Sequence, residues 1–336
     1  MARSGCIYGP TGSFKTTAIA HFSHWVAETT GKATLLLSAD GGGWDAASEE
    51  VMAGMIRPHR LDPELVPLAV IRKFSQGYWP KHAGEPLSAT NPFTAVNWDE
   101  IGGYAVEGIT SMGLMLMRHC ADKNLRTGEE GVTPVRQHVM VDDQTVTETF
   151  TQNSRGHYGF VQNQLYSIVM NFISLPVSYC LFTAHEKRYT EDGELQVGIS
   201  SPGKAITPLI PTWIGDCIHA QDYKVQETIT VKNEKGELVP EQVVSIRCRY
   251  YYKKHLDPAT GAVFDAKPRV THSKATELER VFPGGFFVPT PDGGFDNYLR
   301  AVDALAKDAA ESDKLKEWRR QMDVRLGRAG KAQMAL

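Results

Sequence analysis

The stretch "GCIYGPTGSFKTT", residues 5–17, departs at one position from the phosphate-loop pattern G-x-x-x-x-G-K-[ST]. Gly9 opens it, and Lys15 and Thr16 close it at the required spacing, but Phe14 stands before the lysine where the pattern has glycine. Such a loop works only between a buried strand and a helix, whose backbone N–H groups together surround the anion. "CIYG" is a short apolar run of the strand kind. "TTAIAHFSHWVAETTG" carries Ile19, Phe22 and Val26 at helical spacing and closes on a glycine, which predicts an amphipathic helix over 16–31. "KATLLLSAD" is a second apolar run, ending in an acid. The context is therefore strand–loop–helix–strand. It makes Gly9, Pro10, Thr11, Gly12, Ser13, Phe14, Lys15, Thr16 and Thr17 the candidate nucleotide-binding residues. In these roles Lys15 reaches the β- and γ-phosphates of ATP and the Thr16 hydroxyl ligates Mg²⁺. Phe14 has two readings. Facing away from the phosphates it strains the loop by ~1–3 kcal/mol; packed in the core, its loss costs ~3–5 kcal/mol. The expectation is a mixture in which packing dominates.

The chain has 336 residues, enough for one large α/β domain with insertions or for two smaller ones. With 42% hydrophobic and 22% charged residues and a net charge of −3, it is not a globally basic nucleic-acid binder. The N-terminus lacks the apolar core of a secretory leader. The most apolar run, residues 175–184, is too short to span a bilayer, so no membrane is expected and the cytoplasm is the expected compartment. Five scattered cysteines, Cys6, Cys120, Cys180, Cys217 and Cys248, fit buried free thiols better than a disulfide framework or a zinc site.

A phosphate loop needs a second acidic strand to hold the metal, and two segments compete. "YAVEGITSMGLMLMRHCA" offers an apolar run ending in Glu107, followed by a helical stretch. "VRQHVMVDDQTVTETF" offers Asp142 and Asp143, but its valines alternate with Arg136 and His138, as in a half-exposed hairpin strand. A central parallel strand is covered on both faces and should be apolar throughout. Glu107 is therefore the favoured metal ligand besides Thr16, with Asp142 the alternative.

Taken together, "GPTGSFKTT", "LLLSAD", "YAVEGITS" and "LPVSYCLFTAHEK" resemble RecA-like P-loop ATPases, most of all the phage-encoded, AAA-type nucleotide-binding proteins that accompany recombination and single-strand annealing. The resemblance covers about residues 1–290. It implies an α/β fold: a RecA-like P-loop NTPase core whose twisted, mostly parallel sheet has helices on both faces and is extended by antiparallel C-terminal hairpins. Insertions are expected at about 51–98 and 124–158, and a C-terminal helical tail at 291–336. It also implies a cytoplasmic ATPase, in the host cell for a phage protein, that binds ATP and Mg²⁺, acts on single-stranded DNA and self-associates into a ring or filament. Asp40 takes the place of the acid that polarises the attacking water, and His185 that of the polar residue sensing the γ-phosphate. Lys267 and Arg269, in "AKPR", match in part a trans finger that reaches a neighbouring subunit's nucleotide. Two rivals stand beside this reading. One is a nucleotide-gated structural or adaptor protein that barely hydrolyses; the other is a DNA-packaging motor, for which no nuclease-type carboxylate cluster is evident.

Elsewhere, "LAVIRKF" (68–74) reads as a strand, and a proline-rich loop runs on to about Asn97. "IRCRYYYKKHLDPATGAVFDAKPRVTH" reads as a hairpin about "DPATG", and "YKVQETITVKNEKGELVPEQVVSIRC" as another about "NEKGE". Residues 161–175 read as helix. Arg136, His138, Arg155, His157 and Tyr158 in the polar insertion are candidates to grip a single strand. "SPGKAITPLIPTWIGD" reads as a second mobile loop with Lys204. The C-terminal helix, 295–333, carries seven basic residues between Lys314 and Lys331 against two acidic ones, a pattern that suits nucleic acid or a solvated face.

Overall fold

The computed structural model describes residues 3–310, except 41–43, 63–67, 123–133, 142–143, 152–154, 204–206, 233–237, 258–259, 269–271 and 289–293. The chain is α/β. Its first strand, β1 (Arg3–Gly9), leads through the loop at 10–14 into α1 (Lys15–Thr30), followed by β2 (Ala33–Ser38), α2 (Ser48–Met52) and β3 (Ile56–Arg60). After these come α3 (Leu68–Ser75), a small sheet of β4 (Tyr78–Pro80) and β5 (Phe93–Ala95), β6 (Ile101–Glu107) and α4 (Ile109–Asp122). The hairpin of β7 (Pro134–Val141) and β8 (Gln144–Thr151) precedes α5 (Arg155–Ile173), β9 (Tyr179–Glu191), β10 (Glu194–Ile199) and α6 (Ile210–Trp213). The last elements are β11 (Asp216–Lys232), β12 (Leu238–Tyr251), β13 (His255–Leu256), β14 (Val263–Phe264), α7 (His272–Val281), β15 (Phe286–Phe287) and α8 (Phe295–Ala310).

Six strands run parallel in the order β3–β2–β6–β9–β1–β11, and antiparallel strands extend this sheet at β10 and β12. Side chains alternate across it. On one face Cys6, Tyr8, Tyr104 and Phe182 meet residues of α3, α4 and α5. On the other Ile7, Leu36, Ala105 and Leu181 meet α1 and α8. Close packing there depends on Gly103 of β6, where a Cβ would lie 2.7 Å from Val26 Cγ2 and 2.9 Å from Phe22 Cζ, both on α1. All five cysteines are buried and free.

Several expectations need correction. Residues 68–75 form a helix, not a strand: Ile71 and Phe74 are buried at helical spacing, and a short apolar run does not distinguish the two periods. The hairpin about "DPATG" shrinks to the two-residue pair β13–β14, because β12 spends its length on β11. The longer hairpin, β11–β12, is as read. The proline-rich stretch contains β4 and β5, and the stretch after Ser201 contains α6, whose Ile210 and Pro211 are buried. The 161–175 helix begins earlier, at Arg155, and ends at Ile173. His157 is buried, so it does not grip a strand at the surface, whereas Tyr158 is exposed. The side chains of Arg136, His138 and Arg155, together with Lys204 and the basic segment from Lys314, lie outside the described residues. Among the described residues no helix is long and apolar enough to cross a membrane.

The first half of the C-terminal helix is part of the core. Phe295, Tyr298, Leu299 and Val302 pack with α1 residues, and the Tyr298 hydroxyl donates to buried Asp216. Asp216 also accepts from Arg3, at 3.1 Å, and from the Tyr179 hydroxyl, at 3.1 Å, tying the start of β1, β9, β11 and α8 together. Removing Asp216 leaves the Tyr179 and Tyr298 hydroxyls without this acceptor and Arg3 with Asp303 alone. Asp216→Ala is expected to lower unfolding free energy by about 3–5 kcal/mol. Chemical denaturation measures this, and a loss below about 1 kcal/mol, the scale of an exposed pair, contradicts it.

Candidate nucleotide and metal site

The loop leaves β1 between β9 and β11, at the carboxyl edge of the parallel strands, where open α/β sheets bind ligands. Lys15 is buried and folds back onto the loop. Its Nζ donates to Pro10 O at 2.6 Å, Gly9 O at 3.2 Å and Ser13 Oγ at 3.2 Å. Burial lowers its pKa, and Asp40 and then Asp222 act against that shift. α1 begins with no side-chain cap and no acid in its first turn, the arrangement of a helix N-terminus that can take an anion.

Phe14 takes the left-handed conformation, φ 58°, and is 41% exposed beside the cleft. The expected dominance of core packing is therefore overturned, and strain remains. Its carbonyl holds the turn by accepting from Tyr250 Oη at 2.7 Å and from Ala18 N at 3.1 Å.

The acid of the second strand meets the loop directly. β6 is buried along its whole length and ends in Glu107, itself 3% exposed. Thr16 Oγ1 donates to Glu107 Oε1 at 2.5 Å, and Ser38 Oγ donates to Oε2 at 2.7 Å. Burial raises the Glu107 pKa, while the Thr16 and Ser38 hydrogen bonds act against this. β7, whose end precedes Asp142, pairs with β8 in a separate two-stranded sheet; Asp142 and Asp143 lie outside the described residues.

Asp40 follows β2 and approaches β6 at Gly108. That residue has φ 81°, and a Cβ on it would lie 2.3 Å from Asp40 Oδ1, so a larger residue would displace the acid. Ser111 Oγ donates to Asp40 Oδ1, and His185 Nε2 stands 3.9 Å from the same oxygen. Thr110 Oγ1 accepts the His185 backbone N–H at 3.0 Å, and Thr183 Oγ1 accepts that of Gly108 at 3.0 Å. The loop residues Thr11–Thr17, Asp40, Glu107, Ser111 and His185 line one cleft of about 560 Å³. Lys267 is elsewhere: its backbone pairs with Cys217, which lies beside Cys6, three residues before the loop-bearing end of β1. Arg269 lies outside the described residues.

Sequence reading missed Ser38, Ser111, Thr183 and Tyr250. The first three stand at or just beyond the carboxyl ends of parallel strands, where polar residues are a usable signal; Tyr250, on β12, gives none. Oxygen donors from one hydroxyl and one carboxylate suit Mg²⁺, which takes few protein ligands and completes its shell with waters and phosphates. The described residues contain no cluster of three or more His, Cys, Asp or Glu able to hold a metal.

In comparison with known proteins, the chain matches no family model and no curated protein.

Because Phe14 is strained and half-exposed, Phe14→Gly is expected to change stability by less than about 1–2 kcal/mol, the left-handed penalty itself. A thermal melt tests this; a loss of about 3–5 kcal/mol, the cost of emptying a core position, would restore the packing reading.

Proposed function

We propose that the chain is a RecA-like P-loop ATPase that binds ATP with Mg²⁺ and hydrolyses it while acting on single-stranded DNA as an oligomer. The contact between Thr16 and Glu107 carries this reading. It joins the hydroxyl of the loop to the acid of the buried strand β6, two places from β1 in the sheet, with Lys15 one residue away. Mg²⁺, held by Thr16 with Glu107 behind it, would supply charge stabilisation at the phosphates. The protein's own groups have separate tasks. Lys15 exchanges loop carbonyls for phosphate oxygens. The α1 N-terminus receives the anion. Asp40, held by Ser111, orients a water, and His185 beside it meets the terminal phosphate. Ser38 keeps Glu107 aimed at Thr16.

The DNA substrate, the assembly into a ring or filament, the trans role of Lys267 and Arg269, the phage origin and the cytoplasmic location rest on the sequence resemblance. The position of Lys267 away from the loop agrees with a residue that serves a neighbouring subunit. A second reading, a nucleotide-gated adaptor with little hydrolysis, is favoured by one observation: the left-handed Phe14 occupies the loop position next to Lys15.

ATP turnover with and without single-stranded DNA separates the two. Stimulated hydrolysis is expected; tight ATP binding without turnover selects the adaptor. In the same assay Lys15→Ala is expected to abolish ATP binding in a folded protein, and unchanged affinity would sink the nucleotide reading. Glu107→Gln is expected to cut Mg²⁺-dependent turnover by roughly 100-fold or more, in the range for losing a preorganised electrostatic group. The paired change Asp142→Asn and Asp143→Asn is expected to leave it within a few-fold, and the reverse ranking transfers the metal to Asp142.

A further inference from the structure

Beyond the sheet, β11 and β12 continue as a two-stranded ribbon whose two faces differ. Ala220 is buried with residues of α1 and the Asp222 charge acts on Lys15, so both face the side of the nucleotide loop. Gln221 and Tyr223 therefore face the other way, and the register sets Gln221 opposite Arg249 and His219 opposite Tyr251. With the turn that carries β13, these residues enclose a second pocket of about 250 Å³, lined by Gln221, Tyr223, Arg249, Tyr251, His255 and Asp257.

Arg249 is unlike its neighbours. Its guanidinium lies 4.1 Å from the Tyr223 ring centre and 4.7 Å from that of Phe286. Its Nε is buried without a hydrogen-bond partner, and among the described residues no carboxylate pairs with it. Arg247, two residues earlier, reaches Glu227. The stacked rings fix the guanidinium plane, hydrogen bonds to the Tyr251 and Tyr223 hydroxyls hold its charged form, and the fork of five N–H donors has more to offer a phosphate. Beside the guanidinium stands an aromatic column, with Tyr251 on His255 at 3.8 Å and His255 on Phe264 at 4.8 Å. His255 Nε2 is also buried without a partner. Burial brings the His255 pKa down to about 4, so at neutral pH it is a neutral hydrogen-bonding group. Asp257 also lines the pocket; its carboxylate accepts from Thr260 at 2.6 Å within its own turn.

A cation with no carboxylate partner among the described residues disfavours a metal ion. A simple carboxylate would answer Arg249 but not the aromatic column or the Gln221 amide. The volume is below the ~300–1,000 Å³ of sites for drug-sized ligands, which leaves room for one base-sized group. We infer that this pocket binds one nucleotide unit, with its phosphate on Arg249 and its base against Tyr223, the lining ring that, among the described residues, stacks on no other ring. The unit is supplied by single-stranded nucleic acid or by a free mononucleotide. The inference stands apart from the ATP reading, because the pocket lies on the opposite face of β11 and shares no lining residue with the cleft.

Calorimetric titration tests it with two probes, a short oligodeoxythymidylate and thymidine monophosphate, neither of which carries the β- and γ-phosphates that Lys15 would take. Each is added to the wild-type chain, Arg249→Gln and Tyr223→Ala, with melting curves to confirm folding. Stacking and charge losses of this kind are expected to weaken binding at least about tenfold in each variant. Arg249→Lys, which keeps the charge but loses the planar fork, is expected to recover only part of it. Oligonucleotide binding that both variants weaken identifies a strand as the source. Monophosphate binding with the same losses, and no gain for the oligonucleotide, identifies a free nucleotide. No binding of either probe, or binding that folded variants leave unchanged, overturns the inference. If one variant fails to fold, the other carries the comparison.

Discussion

A buried carboxylate at the end of β6 is the constraint around which the site is arranged. Glu107 has almost no contact with water, and an isolated ionised carboxylate in that position is costly. Two hydroxyls meet it, one from the phosphate loop and one from the neighbouring strand. That meeting requires the strand order. β2 lies directly beside β6, so Ser38 pairs in register with Glu107. β1 lies beyond β9 on the other side, and the start of α1 reaches back across to bring Thr16 over. α1 sits low enough to do so because β6 carries glycine at 103, where any side chain would meet Val26 and Phe22. The chemistry of one acid is thus tied to helix packing two turns along α1.

The loop itself is held from the opposite side. Tyr250 and Cys248 lie on β12, and they reach the carbonyls of Phe14 and Ser13. These contacts offset the cost of a left-handed phenylalanine, which glycine would avoid. A hydroxyl that binds the Phe14 carbonyl acts on the backbone and leaves the ring free to face the cleft. The departure from the loop pattern and the ribbon that braces it are therefore parts of one arrangement.

Strand–loop–helix–strand was legible because each part has a strong local signal: a glycine-rich turn, a helical period closed by Gly31, and apolar runs of strand length. Glu107 was legible because β6 is apolar on both faces, as a central parallel strand must be. What was not legible depends on neighbours distant in sequence. Residues 68–75 are apolar at positions that fit either period over so short a length, and the choice is made by packing of Ile71 and Phe74 in the core. The exposure of Phe14 follows from a turn conformation that no period encodes. Tyr250 is 236 residues from the carbonyl it binds, and Ser38 is 69 from the carboxylate it holds, so neither partner shows in a local window.

The ribbon's strand β11 runs between two cavities. Its first residues pair with β1 from Gly5 to Tyr8 on one edge, while from His219 onward it pairs with β12 on the other. A slip of one residue would turn every side chain to the opposite face and drive Ile218 and Ala220 out of their core into the space that buried Cys217 and His219 fill. The register is therefore fixed by core packing at the base of the strand. It follows that Asp222 stays on the phosphate-loop side and Tyr223 on the other, although both stand beyond the parallel core. One layer of backbone separates the cleft from the aromatic pocket. Side chains also link the two regions around that layer. His185 lines the cleft, and the adjacent Glu186 meets His219 at 3.0 Å; His219 in turn stacks on His255 at 5.3 Å in the pocket wall. The same burial that fixes the strand thus keeps the two cavities distinct while holding them a few side chains apart.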